Sequence, residues 1–120
     1  MNMKEFSSAV GLSSYTLRYY EKIGLLKHVH RNSSGHRVYT HRDIDWVNFI
    51  KRLKETGMPL EDIQEYASLR EIGSQTTADR QKLLEVHRDN LIEHIRKQNE
   101  HLKRLEEKIN LYKKRKSTLT

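Results

Sequence analysis

The 120-residue sequence predicts an all-α protein in which one short β-hairpin is the only part that is not helical. Two observations indicate helices on either side of that hairpin. Apolar residues recur at helical spacing through most of residues 3–67. Between residues 77 and 116 there is no proline or glycine, and apolar residues alternate there at steps of three and four. A third observation, a basic stretch rich in turn-forming residues around residue 33, locates the hairpin.

The composition limits the classes to which the chain can belong. Charged residues make up 32% of the chain and the formal net charge is +7, which favours an acidic partner such as nucleic acid. The absence of cysteine excludes disulfides, thiolate metal sites and iron–sulfur clusters. No apolar run is long enough to span a membrane and no signal peptide opens the chain, so we expect a cytoplasmic protein.

The first two predicted helices are short and closely spaced. Residues 3–10 form the first, and Gly11 begins the break that follows it. The hydroxyl of Ser13 can accept a hydrogen bond from a free backbone N–H, so Ser13 is expected to cap a second helix over residues 14–23. Gly24 ends that helix. Two short helices joined by a tight turn with glycine are typical of a helix-turn-helix.

The next segment changes from helical to strand-like character. A turn cluster at residues 32–35, Asn-Ser-Ser-Gly, lies between Val29 and the pair Val38-Tyr39. We expect a small β-hairpin with Arg31, His36 and Arg37 near its tip. A basic hairpin that follows a helix-turn-helix is a wing.

Two more helices complete the predicted first domain. Thr40 and Asp43 match a capping box, so a helix should begin after Thr40 and run to Gly57. Pro59 suits the first turn of the next helix. The residues expected to face the core are Ile44, Trp46, Val47, Phe49, Ile50 and Leu53 on the first of these helices, and Leu60, Ile63, Tyr66 and Ala67 on the second.

The last predicted helix is long and carries one narrow apolar stripe on a charged background, which is typical of a coiled coil. The chain offers no second long helix to cover the stripe, so the expected partner is another copy, giving a homodimer. The expected dimerisation residues are Leu84, Leu91, Ile95, Leu102, Leu105 and Ile109. The predicted divisions are a DNA-binding domain at residues 1–70, a linker at 71–76, a dimerisation helix at 77–116 and a tail at 117–120. The end of the chain, from Lys113 to Thr120, is basic, and we expect it to be frayed.

The basic stretch from residue 15 to residue 42 carries six arginines and lysines against Glu21 alone. A helix-turn-helix places its second helix in the major groove of DNA, so the expected contacts are Ser14, Tyr15, Arg18 and Tyr19. Tyr20 should point toward the core. Arg18 suits guanine or a phosphate, and the wing arginines suit the backbone or an adjacent minor groove.

The same residues carry a resemblance to the MerR family of bacterial transcription regulators. It covers about residues 1–70, and a coil follows as it does in that family. The matching positions are Glu5-Phe6, Gly11-Leu12-Ser13, Thr16 to Glu21, Gly24-Leu25-Leu26, Arg31, Ser34 to Tyr39, Asp43-Ile44, Phe49-Ile50, Gly57 to Leu60 and Ile63.

The resemblance implies a homodimer with an antiparallel coiled coil that binds a pseudo-palindromic operator in double-stranded promoter DNA. Regulators of this type bend and untwist an overlong promoter spacer, which realigns the promoter elements for RNA polymerase. It also implies that Arg18 and Tyr19 are recognition-helix contacts, that Arg37 is a wing contact and that Tyr39 supports the wing. The DNA-binding residues expected on both grounds are Ser14, Tyr15, Arg18, Tyr19, Arg31, His36, Arg37 and Tyr39.

The sequence also departs from the family pattern. Lys27 stands where members often have proline, and Ser7 replaces a usual alanine. Members that sense metals or thiol-reactive compounds use cysteines, and members that bind drugs or cobalamin append a ligand domain. This sequence has no cysteine and ends soon after the coil, so we expect neither a cofactor nor an appended ligand domain, and the effector is not assigned.

Polar positions along the coil leave alternatives open. His87, His94 and His101 repeat every seven residues, and they either respond to pH or a metal at the dimer interface or are ordinary flanking polar residues. Gln98 and Arg88 are polar residues on the seam, and such residues can fix the register or orientation of a coiled coil. Arg88 has a second interpretation, in which it marks the point where the coil splays toward the DNA-binding domain.

Other functions are weighed against promoter regulation. An architectural, excisionase-like protein would share the winged fold and bend DNA without regulating a promoter, although it seldom needs a long dimer helix. A coil-mediated adaptor would carry the basic stretch only as a solvated surface. We do not expect an enzyme, because the sequence has no glycine-rich phosphate loop and no cysteine nucleophile.

Overall fold

The predicted helix-turn-helix is confirmed in the computed structural model, which describes residues 1–27 and 29–118. Helix α1 spans Met3–Val10 and helix α2 spans Ser14–Lys22. Gly11 ends α1 with a φ of 68°, a left-handed conformation that glycine adopts without steric cost. The hydroxyl of Ser13 accepts a hydrogen bond from the N–H of Thr16 at 3.1 Å, so the predicted cap of α2 is present.

Ser7 has a structural role in the turn between these helices. Its hydroxyl donates a hydrogen bond to the carbonyl of Leu12, one residue before the cap of α2. An alanine at this position would leave the carbonyl without that donor. The departure from the family pattern at residue 7 therefore adds a bond that closes the turn.

The predicted wing is a two-stranded antiparallel hairpin. Strand β1 is His30–Arg31 and strand β2 is Arg37–Val38, with His30 opposite Val38 and Arg31 opposite Arg37. The side-chain oxygen of Asn32 accepts hydrogen bonds from the N–H groups of Ser34 and His36, at 3.0 and 3.1 Å. These bonds stabilise the turn, although each strand has only two residues, because an Asn side chain can accept hydrogen bonds from the backbone N–H groups that follow it.

Helix α3 spans His41–Glu55 and helix α4 spans Leu60–Ile72. Thr40 and Asp43 form the predicted capping box at the start of α3. The expectation that Leu60 faces the core is wrong, since its side chain is 43% exposed. Leu60 is the first residue of α4, and the inward face of that helix begins at Ile63, which is fully buried.

One core joins the first four helices and the wing. It includes the predicted residues Trp46, Val47, Ile50, Leu53, Ile63 and Ala67, with Ile44, Phe49 and Tyr66 partly buried against it. Side chains between the elements complete it, among them Leu25, Leu26, Tyr39 and Met58.

Three side chains of α3 and α4 bind backbone carbonyl groups, one at the end of α1, one at the end of α2 and one in the turn that follows α2. Lys51 Nζ donates to the carbonyl of Val10 at 2.6 Å, and Gln64 Nε2 donates to that of Ile23 at 3.2 Å. Trp46 Nε1 donates to the carbonyl of Leu25 at 2.7 Å. Carbonyls at a helix C-terminus have no partner within the helix, so these bonds both satisfy them and fix the helix-turn-helix on α3 and α4.

Residues 71–76, predicted as a linker, contain the last two residues of α4 and a 3-10 helix at Ser74–Thr76. Thr76 is buried, and its hydroxyl donates to the carbonyl of Leu69 at 2.6 Å. The segment therefore has a defined conformation, because a buried hydroxyl replaces the hydrogen bonds that the helix loses where it ends.

Helix α5 spans Thr77–Thr118, so the predicted long helix is confirmed and continues into the segment that we expected to be frayed. The chain divides into two compact units, Met1–Leu84 and Glu85–Thr120. The assignment of Leu84 to the dimer seam needs correction, because Leu84 packs against the core of the first unit. In the part of the chain that the structure describes, no helix has the length and apolar character needed to cross a membrane.

The core makes a direct prediction about stability. Ile50 is fully buried, so Ile50→Ala should lower the free energy of unfolding by about 2–5 kcal/mol through lost burial and the cavity left behind. Ile72→Ala, at an exposed position, should change it by no more than about 0.5 kcal/mol. Urea denaturation followed by circular dichroism measures both, and equal losses would contradict the assigned core.

Candidate nucleic-acid interface

Helix α2 presents one face to the core and the opposite face to solvent. Leu17 and Tyr20 are buried, whereas Tyr15 is 79% exposed and Tyr19 is 46% exposed. Arg18 is exposed as well. The predicted inward orientation of Tyr20 and outward orientation of Tyr19 are therefore confirmed, because successive helical residues differ in direction by about 100°.

The exposed face of α2 adjoins a basic cleft of about 330 Å³ between the start of α1, α2 and the wing. Four of the eight expected DNA-binding residues line this cleft, and no acidic residue does. The residues that line it are Asn2, Met3, Lys4, Arg18, Arg31, Gly35, His36 and Arg37. A cleft lined by cations concentrates positive potential, which suits a phosphate backbone.

Lys4 and Asn2 were not expected in this cleft. Their placement depends on the N-terminal end of α1, whose positive dipole end lies where Asn2 caps the helix. The sequence shows that a lysine lies near the start of α1. Only the packing of α1 beside the wing shows that this lysine lines the basic cleft.

The wing is attached to α2 by an ion pair. Arg37 Nε lies 2.8 Å from Glu21 Oε2, and both side chains are 29% exposed. The two terminal nitrogens of this guanidinium make no bond to any residue that the structure describes. Arg37 can therefore hold the wing beside α2 and still offer two N–H groups to an anion.

Arg31 lies at the tip of the wing, on the strand opposite Arg37. Its Nη1 donates to the carbonyl of Gly35 at 2.8 Å, across the turn. Since Gly35 has a φ of 79°, the turn itself depends on a conformation that residues with a Cβ adopt at a cost. His36 is exposed beside it.

Tyr39 does not belong with the surface contacts. Its side chain is 2% exposed, and its ring stacks on Phe6 with centroids 4.2 Å apart. The hydroxyl is buried and has no hydrogen-bond partner among the described residues. Burial raises the pKa of the Tyr39 hydroxyl, so it stays neutral near pH 7. The placement of Tyr39 is that of a residue beneath the wing and not of a DNA contact.

The second unit carries the expected seam as exposed apolar side chains. Ile95, Leu102, Leu105 and Ile109 are each between 44% and 58% exposed, and Leu91 is half-buried. A soluble helix seldom exposes such a row of large apolar side chains unless a partner covers it.

The histidines of the coil form no metal site in the residues described. No group of three His, Cys, Asp or Glu side chains within that part of the chain is placed to hold a metal ion. Successive members of the set at residues 87, 94 and 101 lie two helical turns apart, roughly 10.5 Å along the helix axis, so one chain cannot bring them to one ion.

Comparison with known proteins shows which family the chain resembles. The family model described as "MerR HTH family regulatory protein" matches residues 1–69, and the model "MerR, DNA binding" matches residues 44–108. The fold prediction is confirmed by the similarity to solved MerR structures. The matched families and relatives are transcription regulators, which also confirms the expectation that the chain is not an enzyme.

Three similar proteins show how far the likeness extends. An uncharacterised HTH-type transcriptional regulator of Haemophilus influenzae is 39% identical over 90% of this chain and 80% of its own length. The crystal structure of a MerR-family protein from Listeria monocytogenes has a TM-score of 0.89 at 38% identity and covers 93% of this chain and 85% of its own.

The third is HiNmlR, a MerR family regulator lacking the sensor domain, whose crystal structure was solved bound to promoter DNA. It has a TM-score of 0.86 at 36% identity, covering 97% of this chain and 92% of its own. Other curated relatives are longer, and this chain spans about half of their length. The chain belongs to the MerR family of helix-turn-helix transcription regulators.

Proposed function

We propose that this regulator binds a pseudo-palindromic promoter operator as a homodimer and distorts the DNA. The observation that carries the proposal is the basic cleft, in which Arg18, Arg31 and Arg37 face one space without an acidic neighbour on its lining. The phosphate groups of DNA carry the negative charge that would balance these arginines. HiNmlR, which is similar along nearly the whole chain, was solved on promoter DNA, and this supports the same class of ligand here.

Within this proposal, the contacts divide into two kinds. Arg18 and the exposed tyrosines of α2 enter the major groove, where Arg18 gives bidentate bonds to guanine or clamps a phosphate. Lys4, Arg31 and Arg37 contact the backbone beside it, because they lie around the cleft at the edge of that helix. Ser14 and His36 are the remaining proposed contacts.

The homodimer is proposed from the second unit. Its apolar row from Leu91 to Ile109 lies exposed on a single helix, and a matching row on a second copy would cover it. An antiparallel pairing, as in the family that the chain belongs to, would hold two DNA-binding units for two half-sites. The pseudo-palindrome follows from this two-fold symmetry.

DNA distortion is proposed as the link to transcription. Each wing is held on its α2 by the Arg37–Glu21 ion pair, so each copy would present its groove and backbone contacts in a fixed arrangement. With two such copies on one operator, we infer that the DNA bends or untwists to meet both sets of contacts, at a cost that the contacts offset. RNA polymerase is then affected indirectly, through the alignment of the promoter elements.

Footprinting on the natural genomic sites tests the operator directly. We expect protection of an inverted repeat within an overlong promoter spacer, with enhanced cleavage at its centre where the helix is distorted. Protection of sites with normal spacers, or without symmetry, would contradict this form of regulation and would favour an architectural DNA-bending protein.

Two substitutions separate base recognition from backbone contact. Arg18→Ala should cost about 1–3 kcal/mol of specific binding and relax the sequence preference. Lys4→Gln should weaken binding to all sequences alike and reduce the slope of log K against log salt by about one. Fluorescence anisotropy across a salt series measures both effects.

Arg52→Ala serves as the control for these variants, because Arg52 is exposed on α3 and does not line the cleft. It removes the same charge and should leave specific binding unchanged. If Arg52→Ala weakened binding as much as Arg18→Ala, the contribution of net charge alone would explain the result and the assignment of the interface would be wrong.

The dimer seam has its own test. Leu102→Asp places a charge in the proposed apolar seam and should shift the protein from dimer to monomer, since burying that charge unpaired is costly. Asn110→Asp adds the same charge at an exposed position beside the seam and should leave the dimer intact. Analytical ultracentrifugation distinguishes them, and a dimer that survives Leu102→Asp would place the seam elsewhere.

A further inference from the structure

The first unit has a second cleft, which shares no residue with the basic cleft at the wing. It has a volume of about 290 Å³ and lies against α3, α4 and the first turn of α5. Aromatic and charged side chains alternate around it. The residues that line it are Arg42, Asp45, Trp46, Phe49, Tyr66, Arg70 and Arg80.

Three aromatic rings form one wall of this cleft. Trp46 and Tyr66 stack with centroids 5.9 Å apart and an interplanar angle of 17°, and Phe49 tilts against Tyr66 at 5.4 Å. The indole N–H of Trp46 is bound to the carbonyl of Leu25, which fixes the ring. This wall is apolar, and the partly exposed rings of Phe49 and Tyr66 offer surface on which a planar group can pack, whereas Trp46 is 7% exposed and has Arg70 over its ring.

Arginines form the rest of the lining. The guanidinium of Arg70 lies 4.2 Å above the ring of Trp46. Arg80 is anchored by bonds from Nε to the hydroxyl of Thr76 at 3.0 Å and from Nη2 to the carbonyl of Gly73 at 3.4 Å. Arg42 is exposed and makes no bond to a described residue.

The charges of these arginines are not neutralised within the part of the chain that the structure describes. None of the three forms an ion pair there, although Asp45 also lines the cleft. A purely structural cluster of arginines would be expected to pair with carboxylates, because gathering like charges costs free energy. Three guanidinium groups and a single aspartate give the lining of the cleft a net positive charge, which a bound anion would balance.

We propose that this cleft binds a small planar molecule, one aromatic ring with a carboxylate group. The ring would pack on the aromatic wall. The carboxylate would accept two parallel hydrogen bonds from the guanidinium of Arg42 and a further one from Nη1 of Arg80, because Nε and Nη2 of Arg80 are already bonded to Thr76, Gly73 and Thr77. The cleft is open to solvent, and its volume of about 290 Å³ leaves room for one such ring.

Trp46 would connect this ligand to the DNA-binding surface. It lines the cleft and also donates to the carbonyl of Leu25, in the turn that directly follows the recognition helix. A ligand that shifts the ring would change the support of that helix. This role as a signal input rests on the proposed function, whereas binding to the cleft does not.

Trp46 is the single tryptophan of the chain, so all tryptophan emission of the protein comes from a residue that lines this cleft. Benzoate is the probe and benzamide is its neutral isostere, both titrated into the full-length protein without DNA at constant ionic strength. We expect a saturable change in Trp46 emission with benzoate and binding of benzamide that is weaker by about tenfold or more, since the charged hydrogen bonds are lost.

Arg42→Gln should weaken benzoate binding by about tenfold, because it removes one of the charged donors. Arg52→Gln makes the same change on the same helix, outside the cleft, and should bind benzoate as the parent does. Arg42 is exposed and makes no bond to a described residue, so its substitution should not unfold the protein, and the circular dichroism melt checks this.

Three outcomes would overturn the proposal. The first is unchanged Trp46 emission up to high millimolar benzoate. The second is equal binding of benzoate and benzamide, which would reduce the cleft to an apolar surface. The third is a loss of self-association in Arg42→Gln by ultracentrifugation, which would make a second copy of the chain the occupant. Because no DNA is present, each result is independent of whether the proposed operator binding is correct.

Discussion

The carbonyl groups at the C-terminal ends of α1 and α2 are the constraint on which this structure depends. They have no partner within their own helices, and an unpaired buried carbonyl costs free energy comparable to a lost hydrogen bond. Lys51 satisfies Val10, and Gln64 satisfies Ile23. The angle between the two short helices is therefore set by α3 and α4 and not by the three-residue turn alone. A recognition helix of nine residues has a defined position because its far end is bound in this way.

The wing has too little hydrogen bonding to hold itself in place. Its strands have two residues each, and isolated hairpins of this size are not stable in water. Three contacts with other parts of the chain compensate: the stacking of Tyr39 on Phe6 of α1, the paired backbone hydrogen bonds between Tyr39 and Met1, and the ion pair between Arg37 and Glu21 of α2. These contacts hold the hairpin beside the helix-turn-helix, and the basic cleft lies between them.

Local patterns predicted the elements well, and tertiary contacts explain what they missed. The caps at Ser13 and Thr40 depend on neighbours within three residues, so the sequence indicates them directly. Leu84 falls on the heptad repeat, but the first turns of α5 belong to the first unit, and no repeat shows where one unit ends. Lys4 was not predicted at the cleft, and Tyr39 was included among the DNA contacts although it is buried, for a related reason. Whether a side chain reaches a cleft or lies beneath it is decided by how distant elements pack.

The exposure of α2 has a consequence for how such regulators diversify. Tyr15 and Tyr19 lie on the solvent side of a helix whose attachment uses its opposite face and its ends. Substitutions at exposed positions of this kind usually change folding stability little. Sequence preference can then be altered by evolution or by design at the surface residues of one helix, while the scaffold that orients them stays intact. Glu21 is the exception on this helix. Its ion pair with Arg37 holds the wing, so a change at Glu21 would alter the position of the wing relative to α2.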